Sequence, residues 1–153
     1  MADVVDLKTR SRMMSGIRGK DTKPEMVVRR ALFAAGFRFR LHRRDLPGAP
    51  DVVLPRWRVA VFVHGCFWHR HTVCGLAKLP ATNAVFWRAK LDGNVQRDER
   101  AVMALRTAGW RVLVVWECAT KGKAAEGLAQ QLSKWIGGNA SFGEIPETIH
   151  MKT

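Results

Sequence analysis

Metal ligands, proton-transfer groups and flat rings crowd into one run of this chain, Phe62-Val63-His64-Gly65-Cys66-Phe67-Trp68-His69-Arg70-His71-Thr72-Val73-Cys74. The run holds three of the five histidines and two of the three cysteines. Cys66, His71 and Cys74, joined by Cys118 from further along the chain, make a Cys/His set of the kind that closes around a structural Zn²⁺. The same spacing also fits buried thiols with a loop histidine. His64 and His69 offer imidazoles, the side chain best suited to shuttling a proton near neutral pH. Upstream, Asp51 follows Leu46-Pro47-Gly48-Ala49-Pro50 and offers a hard carboxylate oxygen to Mg²⁺, although an aspartate after proline also serves as a plain turn residue. Phe67 and Trp68 lie between the other ligands, where adjacent rings suit stacking on bases or wedging between them. Trp87 fits either that role or the core.

These groups need elements to hold them. Thr22-x-x-Glu25 is a capping box, which accounts for Glu25 without catalysis, and opens a helix that Gly36 ends. Phe37, Phe39 and Leu41 alternate with arginines as in a half-buried strand. Val52-Val53-Leu54 and Val59 to Val63 read as a hairpin around Pro55-Arg56-Trp57-Arg58. That pairing sets Asp51 beside Val63 and His64, and the Val63 backbone carbonyl becomes a second oxygen for a cation. Residues 65–81 have neither helical nor strand period and read as a loop organised by its ligands. Thr82 or Asn83 caps a helix reaching Ala108, with Gly109 as its stop. Trp110 to Trp116 is a buried strand, and a last helix spans about Ala124 to Ile136. Helix, three strands, helix, strand makes an α/β layer structure around a small sheet.

The chain has 153 residues, with 26 Lys and Arg against 13 Asp and Glu, a net charge of +13 and a pI near 10.9. That length suits a single domain without internal repeats. Such a charge attracts polyanions, nucleic acid first, although solubility or an acidic protein partner would also use it. No apolar run is long enough to span a membrane and no secretory signal is evident, so a cytoplasmic, nucleoid-associated protein is expected. Reduced thiols are expected there too.

On these residues the chain resembles the very short patch repair (Vsr) DNA mismatch endonucleases. The likeness runs through Thr9-Arg10-Ser11-Arg12-x-Met14, Leu46-Pro47-Gly48-x-Pro50-Asp51 and His64-Gly65-Cys66-Phe67-Trp68-His69-x-His71. It continues in Lys78-x-Pro80-Ala81-Thr82, Phe86-Trp87, Asn94-Val95-x-Arg97-Asp98 and Gly109-Trp110-Arg111-Val112-Leu113-x-Val115-Trp116-Glu117-Cys118. The resemblance implies a restriction-endonuclease-like (PD-(D/E)xK-type) αβββαβ core over residues 1–136, including a basic segment at 1–20. It leaves 137–153 as a tail without a role. It implies an Mg²⁺-dependent enzyme that nicks duplex DNA 5′ to the T of a T:G mismatch left by deamination of 5-methylcytosine.

By the same resemblance Asp51 is the metal-binding aspartate and His69 the catalytic histidine, with His64 and Glu25 in support. Cys66, His71, Cys74 and Cys118 become the zinc ligands; Phe67, Trp68 and Trp87 the rings beside the mismatch; and Met14 part of a helix in the minor groove. MutL and a cytosine-5 methyltransferase pathway are implied as neighbours. An asymmetric mismatch implies a monomer. Three departures stand out. Val63 replaces a threonine found in some members, Thr72-Val73 lengthens the loop before Cys74, and Phe62 and His64 stand where the wider superfamily has a carboxylate and a lysine. A related endonuclease of a restriction–modification system and a non-catalytic zinc-stabilised DNA-binding module are the alternatives.

Overall fold

The computed structural model describes residues 22–71 and 74–147; the basic N-terminal segment with Met14 lies outside them. Helix α1 (Lys23–Ala34) begins where the Thr22 hydroxyl accepts the Glu25 N–H at 3.3 Å. Pro24 sits in its first turn, where a backbone N–H has no helical partner to lose. Gly36, at φ 92°, takes the left-handed turn that ends it. Val28 and Leu32, one turn apart, are fully buried.

The half-buried strand expected over residues 37–41 shrinks to β1 (Arg40–Leu41), two exposed residues. Among the described residues it is the edge of the sheet, paired only with β2 (Val52–Leu54). His42 turns left-handed (φ 49°) directly after it, which ends the ladder, while Phe37 and Phe39 pack on the core from outside the strand. The hairpin is as expected: β2 runs antiparallel to β3 (Val59–His64), with Val52 opposite Val61. Helix α2 (Ala84–Thr107) then crosses to β4 (Arg111–Trp116), which lies parallel to β3 with His64 beside Trp116. Asn83 precedes α2 as anticipated but in a left-handed conformation, and its side chain makes no cap bond.

The single last helix expected from the sequence is two, α3 (Gly122–Glu126) and α4 (Leu128–Gly137), with Gly127 between them. Beyond them Phe142–Ile145 forms a strand, β5, parallel to β4. The domain is therefore α/β around a five-stranded mixed sheet in the order β1-β2-β3-β4-β5. Arg111 holds this last connection. Its guanidinium donates to the carbonyls of Trp135, Ile136 and Ala140 at 2.9 Å each, satisfying acceptors that the end of α4 leaves open.

Side chains alternate across the sheet. Val59, Val61, Leu113, Val115 and Ile145 face α1 and α4, where Leu128, Leu132 and Ile136 close one core. Ala60, Phe62, Val112, Val114 and Trp116 face the other way, against Leu105 of α2 and Cys66. A cleft lined by residues of α1, the chain leading into β2, the end of β3 and α2 opens beside the sheet. No helix among the described residues is long and apolar enough to cross a membrane.

Candidate active site and metal centre

Asp51 stands at the head of β2, and its Oδ2 accepts the Val63 N–H at 2.7 Å. The hairpin thus brings together the two residues the sequence paired, with the bond made to the Val63 amide. The amide and carbonyl of a strand residue point to the same neighbour, so the Val63 carbonyl also faces the Asp51 edge. Burial pushes the Asp51 carboxyl up to about 7, and the nearby Glu25 charge adds to this; the Val63 amide and Arg29 work against it. A buried carboxylate that resists ionising in this way suits a site completed by a cation. Its donor set is hard oxygen, as Mg²⁺ prefers.

Glu25 is buried in the same cleft. Its amide serves the cap, as the capping box requires, but its carboxylate takes Arg29 Nη2 at 3.1 Å and lies 3.6 Å from His42 Nε2. His42 is anchored through its own amide, which donates to the Asp51 carbonyl at 3.1 Å. Glu25, His42 and Asp51 form one compact acid–imidazole group.

On the other side of the cleft His64 and His69 stack, ring centroids 3.8 Å apart and planes 4° apart. Burial first, and then the neighbouring His69, hold His64 well below the usual imidazole range, so it stays neutral. Its Nδ1 is buried without a hydrogen-bond partner. His69 is half-buried, and its Nδ1 lies 2.6 Å from Asp98 Oδ2. An ionised carboxylate can only accept, so Nδ1 carries the hydrogen and Nε2 is left as the basic atom. Asp98 reaches the site from α2. Asn94, one helical turn earlier, donates to the Trp68 carbonyl at 2.9 Å. The i, i+4 spacing of Asn94 and Asp98 was the available sign that one face of α2 supports the loop. Lys23, Lys90, Arg97 and Lys121 line the same cleft and give it the charge a phosphodiester backbone calls for.

The loop after β3 is one tight turn. The amide of His69 donates to the Gly65 carbonyl at 3.1 Å and that of His71 to the Cys66 carbonyl at 2.9 Å. Glu117 Oε1 accepts the Cys66 amide at 3.2 Å, tying the turn to the end of β4. The turn places Cys66, His71, Cys74 and Cys118 so that their ligand atoms all lie within 4.8 Å of one another. Nδ1 of His71 is 3.5 Å from Cys66 Sγ and 3.6 Å from Cys118 Sγ. Burial raises the Cys66 and Cys118 thiols and lowers His71, so this pocket favours neutral groups unless a cation is bound. Three thiols and a neutral imidazole converging there fit a soft divalent metal.

The rings gather beside this loop, with Trp68 also lining the cleft. Phe67, Trp68 and Trp87 contact one another edge to face at 5.1–5.9 Å. Phe86, absent from the expected set, joins through Trp87 at 5.3 Å and is 59% exposed. Thus the end of β3 and the turn after it bring His64 and His69 to the cleft, Cys66 and His71 to the Cys/His cluster, and Phe67 and Trp68 to the aromatic group.

Comparison with known proteins decides the family. The chain is 43% identical over 155 residues, 99% of each chain, to the DNA mismatch endonuclease Vsr of Escherichia coli. It belongs to the Vsr family of DNA mismatch endonucleases. The family's sequence profile, described as DNA mismatch endonuclease Vsr, matches residues 2–75. Similarity extends to enzymes described as type II nicking enzymes. V.XorIIP of Xanthomonas oryzae pv. oryzae is 48% identical over 118 residues, 77% of this chain and 86% of that one. V.NaeI of Lentzea aerocolonigenes is 46% identical over 114 residues, 71% of this chain and 67% of that one. As a Vsr-family member the protein is an endonuclease.

Proposed function

We propose that this protein nicks one strand of duplex DNA on the 5′ side of the T of a T:G mismatch, using Mg²⁺ held by Asp51 and the Val63 carbonyl. The observation that carries this reading is the meeting in one cleft of the buried Asp51 carboxyl and the His69–Asp98 pair, 2.6 Å apart. The αβββαβ order, with the acid at the head of the second strand, fits a restriction-endonuclease-like core. Cys66, His71, Cys74 and Cys118 are the residues that would hold a structural Zn²⁺.

A bound Mg²⁺ would polarise the phosphoryl oxygen and stabilise the charge that develops on it. The rest falls to the chain. His69 Nε2 takes a proton from water as that water's oxygen attacks phosphorus; the P–O3′ bond breaks, and the departing 3′ oxygen takes a proton from solvent water, leaving a 3′-hydroxyl and a 5′-phosphate. Asp98 holds the imidazole in the right tautomer and balances the imidazolium. His64, stacked on His69 and kept neutral, prevents the ring from turning away without competing for the proton. Lys90, Arg97 and Lys121 hold backbone phosphates, and Phe67, Trp68 and Trp87 unstack the duplex beside the mismatch. Unstacking costs about a few kcal/mol per step and less where pairing is already weak, which favours a wobble pair.

Asp98→Asn should lower kcat by about 10²-fold or more with little change in KM for DNA, since His69 keeps its place but loses its tautomer and counter-charge. An equal loss in KM would move Asp98 from chemistry to DNA binding.

The relatives described as type II nicking enzymes favour a second reading, in which flanking sequence restricts the cut as strongly as the mismatch does. Matched duplexes differing only in T:G or C:G, each in several flanking contexts, separate the two under Mg²⁺. Nicking of T:G alone in most contexts supports the first, and dependence on one context the second. Equal cutting of C:G overturns both.

A further inference from the structure

The indole of Trp116 joins the Cys/His cluster to the cleft, touching His71 in the one and His64 in the other. It lies flat on His71, centroids 4.2 Å apart and planes 7° apart, and stands edge-on to His64 at 5.3 Å and 71°. His64 and Trp116 are register partners on β3 and β4, so the indole meets both histidines because of where the strands end. Trp116 and His71 are each only 8% exposed. The indole therefore fills a closed slot between the two groups.

What fixes the indole is Glu144. The Trp116 Nε1–H donates to Glu144 Oε1 at 2.7 Å. Glu144 sits opposite Val114 in the β4–β5 register, hence on the same face as Trp116 one pleat away. Through the indole stacked on His71, Glu144 gives the ring the outer support that orients a ligating histidine. Glu144 takes no part in the cleavage steps and belongs to the segment for which the sequence suggested no role.

We propose that Glu144 is a positioning residue: by anchoring Trp116 it sets the His71 ring in the metal cluster and the wall behind His64. The last strand then governs both metal retention and the geometry of the cleft. This rests on the reading of Cys66, His71, Cys74 and Cys118 as a metal site. A sheet-edge contact with no further consequence is the competing account.

Cobalt substitution of the full chain tests it, because thiolate–Co²⁺ charge-transfer and d–d bands report ligand geometry directly. In Glu144→Ala those bands should shift, and metal affinity in a chelator competition should fall by about 10- to 100-fold. At saturating Zn²⁺, kcat for nicking should fall by about 10-fold or more with KM for DNA unchanged, as a displaced wall misplaces His64 and His69. Glu144→Gln keeps an acceptor for the indole and should restore kcat to within about 2-fold. Trp116→Phe, which keeps a ring but removes the donor, should reproduce the kcat loss and serves where Glu144→Ala does not fold. Glu147→Ala, exposed three residues on, should match the wild type throughout. Variants that lose only thermal stability, with bands, affinity and kcat unchanged, overturn the proposal while leaving the metal site intact. A wild-type protein lacking the thiolate–cobalt band overturns the metal reading and this proposal with it.

Discussion

Asp51→Ala should slow strand cleavage by about 10³-fold or more, while a gel shift should still record binding to the mismatched duplex. The magnitude follows from the stabilisation of several kcal/mol that a cation gives the phosphoryl transition state, at tenfold in rate for each 1.36 kcal/mol. Binding should survive because the groups proposed to meet DNA, the rings Phe67, Trp68 and Trp87 and the basic side chains of the cleft, are other than Asp51. An unchanged cleavage rate would remove Asp51 from the mechanism.

The same residue makes a pH prediction for the Mg²⁺-free protein. Its carboxyl ionises at about 7 in the fold against an ordinary 3.8. Below both values the acid is neutral in folded and unfolded chains, and its burial carries no charge penalty. As pH rises from about 4 to about 7, the unfolded chain releases a proton that the folded one retains, so stability falls, by on the order of 4 kcal/mol at most. Asp51→Asn should therefore stabilise the zinc-loaded, Mg²⁺-free protein at pH 8 and not at pH 4, measured by urea midpoints. Mg²⁺ reverses the sign, because the ligand must be ionised, and binding near pH 6 should release a proton detectable by calorimetry in buffers of different ionisation enthalpy. Parallel pH slopes for the two proteins would contradict this account.

What was legible in the sequence was what short-range chemistry dictates. Two apolar strands around a Pro55 turn had to pair antiparallel, and pairing alone set Asp51 against Val63. Cys66, His71 and Cys74 sit on one tight turn, and Cys118 follows the strand beside it, so their convergence needed only the β3–β4 register. Partners brought from afar were harder to see. Asp98 meets His69 across 29 residues because α2 folds back over the loop, and only its spacing from Asn94 hinted at it. Strand β5 was hidden for a different reason. Gly143 interrupts its apolar pattern, yet a β-carbon there would run into the Trp135 indole, so the glycine marks close packing rather than a loose tail. Edge strand β1 erred the other way, since alternation of Phe and Arg predicts a longer strand than a single neighbour supports.

Stripping the metal from the Cys/His cluster should be the most damaging change of all, costing both nicking and stability. Among the described residues of the turn after β3, Cys66 is the only fully buried apolar one, so little besides the backbone bonds and a metal can hold it. Structural Zn²⁺ contributes about 10–16 kcal/mol in small zinc-dependent peptides, comparable to the whole folding stability of a typical domain. Part of that is offset here, because the thiols regain their protons and the sheet retains two apolar cores. A net loss of about 5 kcal/mol would lower Tm by on the order of 10–20 °C for a chain of this size. Cys66→Ser and Cys118→Ser should each reproduce the effect of a chelator, since either leaves the metal three ligands and opens the site. Tryptophan near-UV dichroism should collapse with the metal content, as Trp68 and Trp116 lose the loop that fixes them. Far-UV dichroism should change less, because β3, β4 and the helices on both faces do not pass through the cluster. A metal-free protein that keeps its Tm, its dichroism and its nicking rate would show that the thiols are merely buried. Activity lost with the sheet intact would show instead that the metal's work is positional: it holds His69 and the rings Phe67 and Trp68 in place on one short turn.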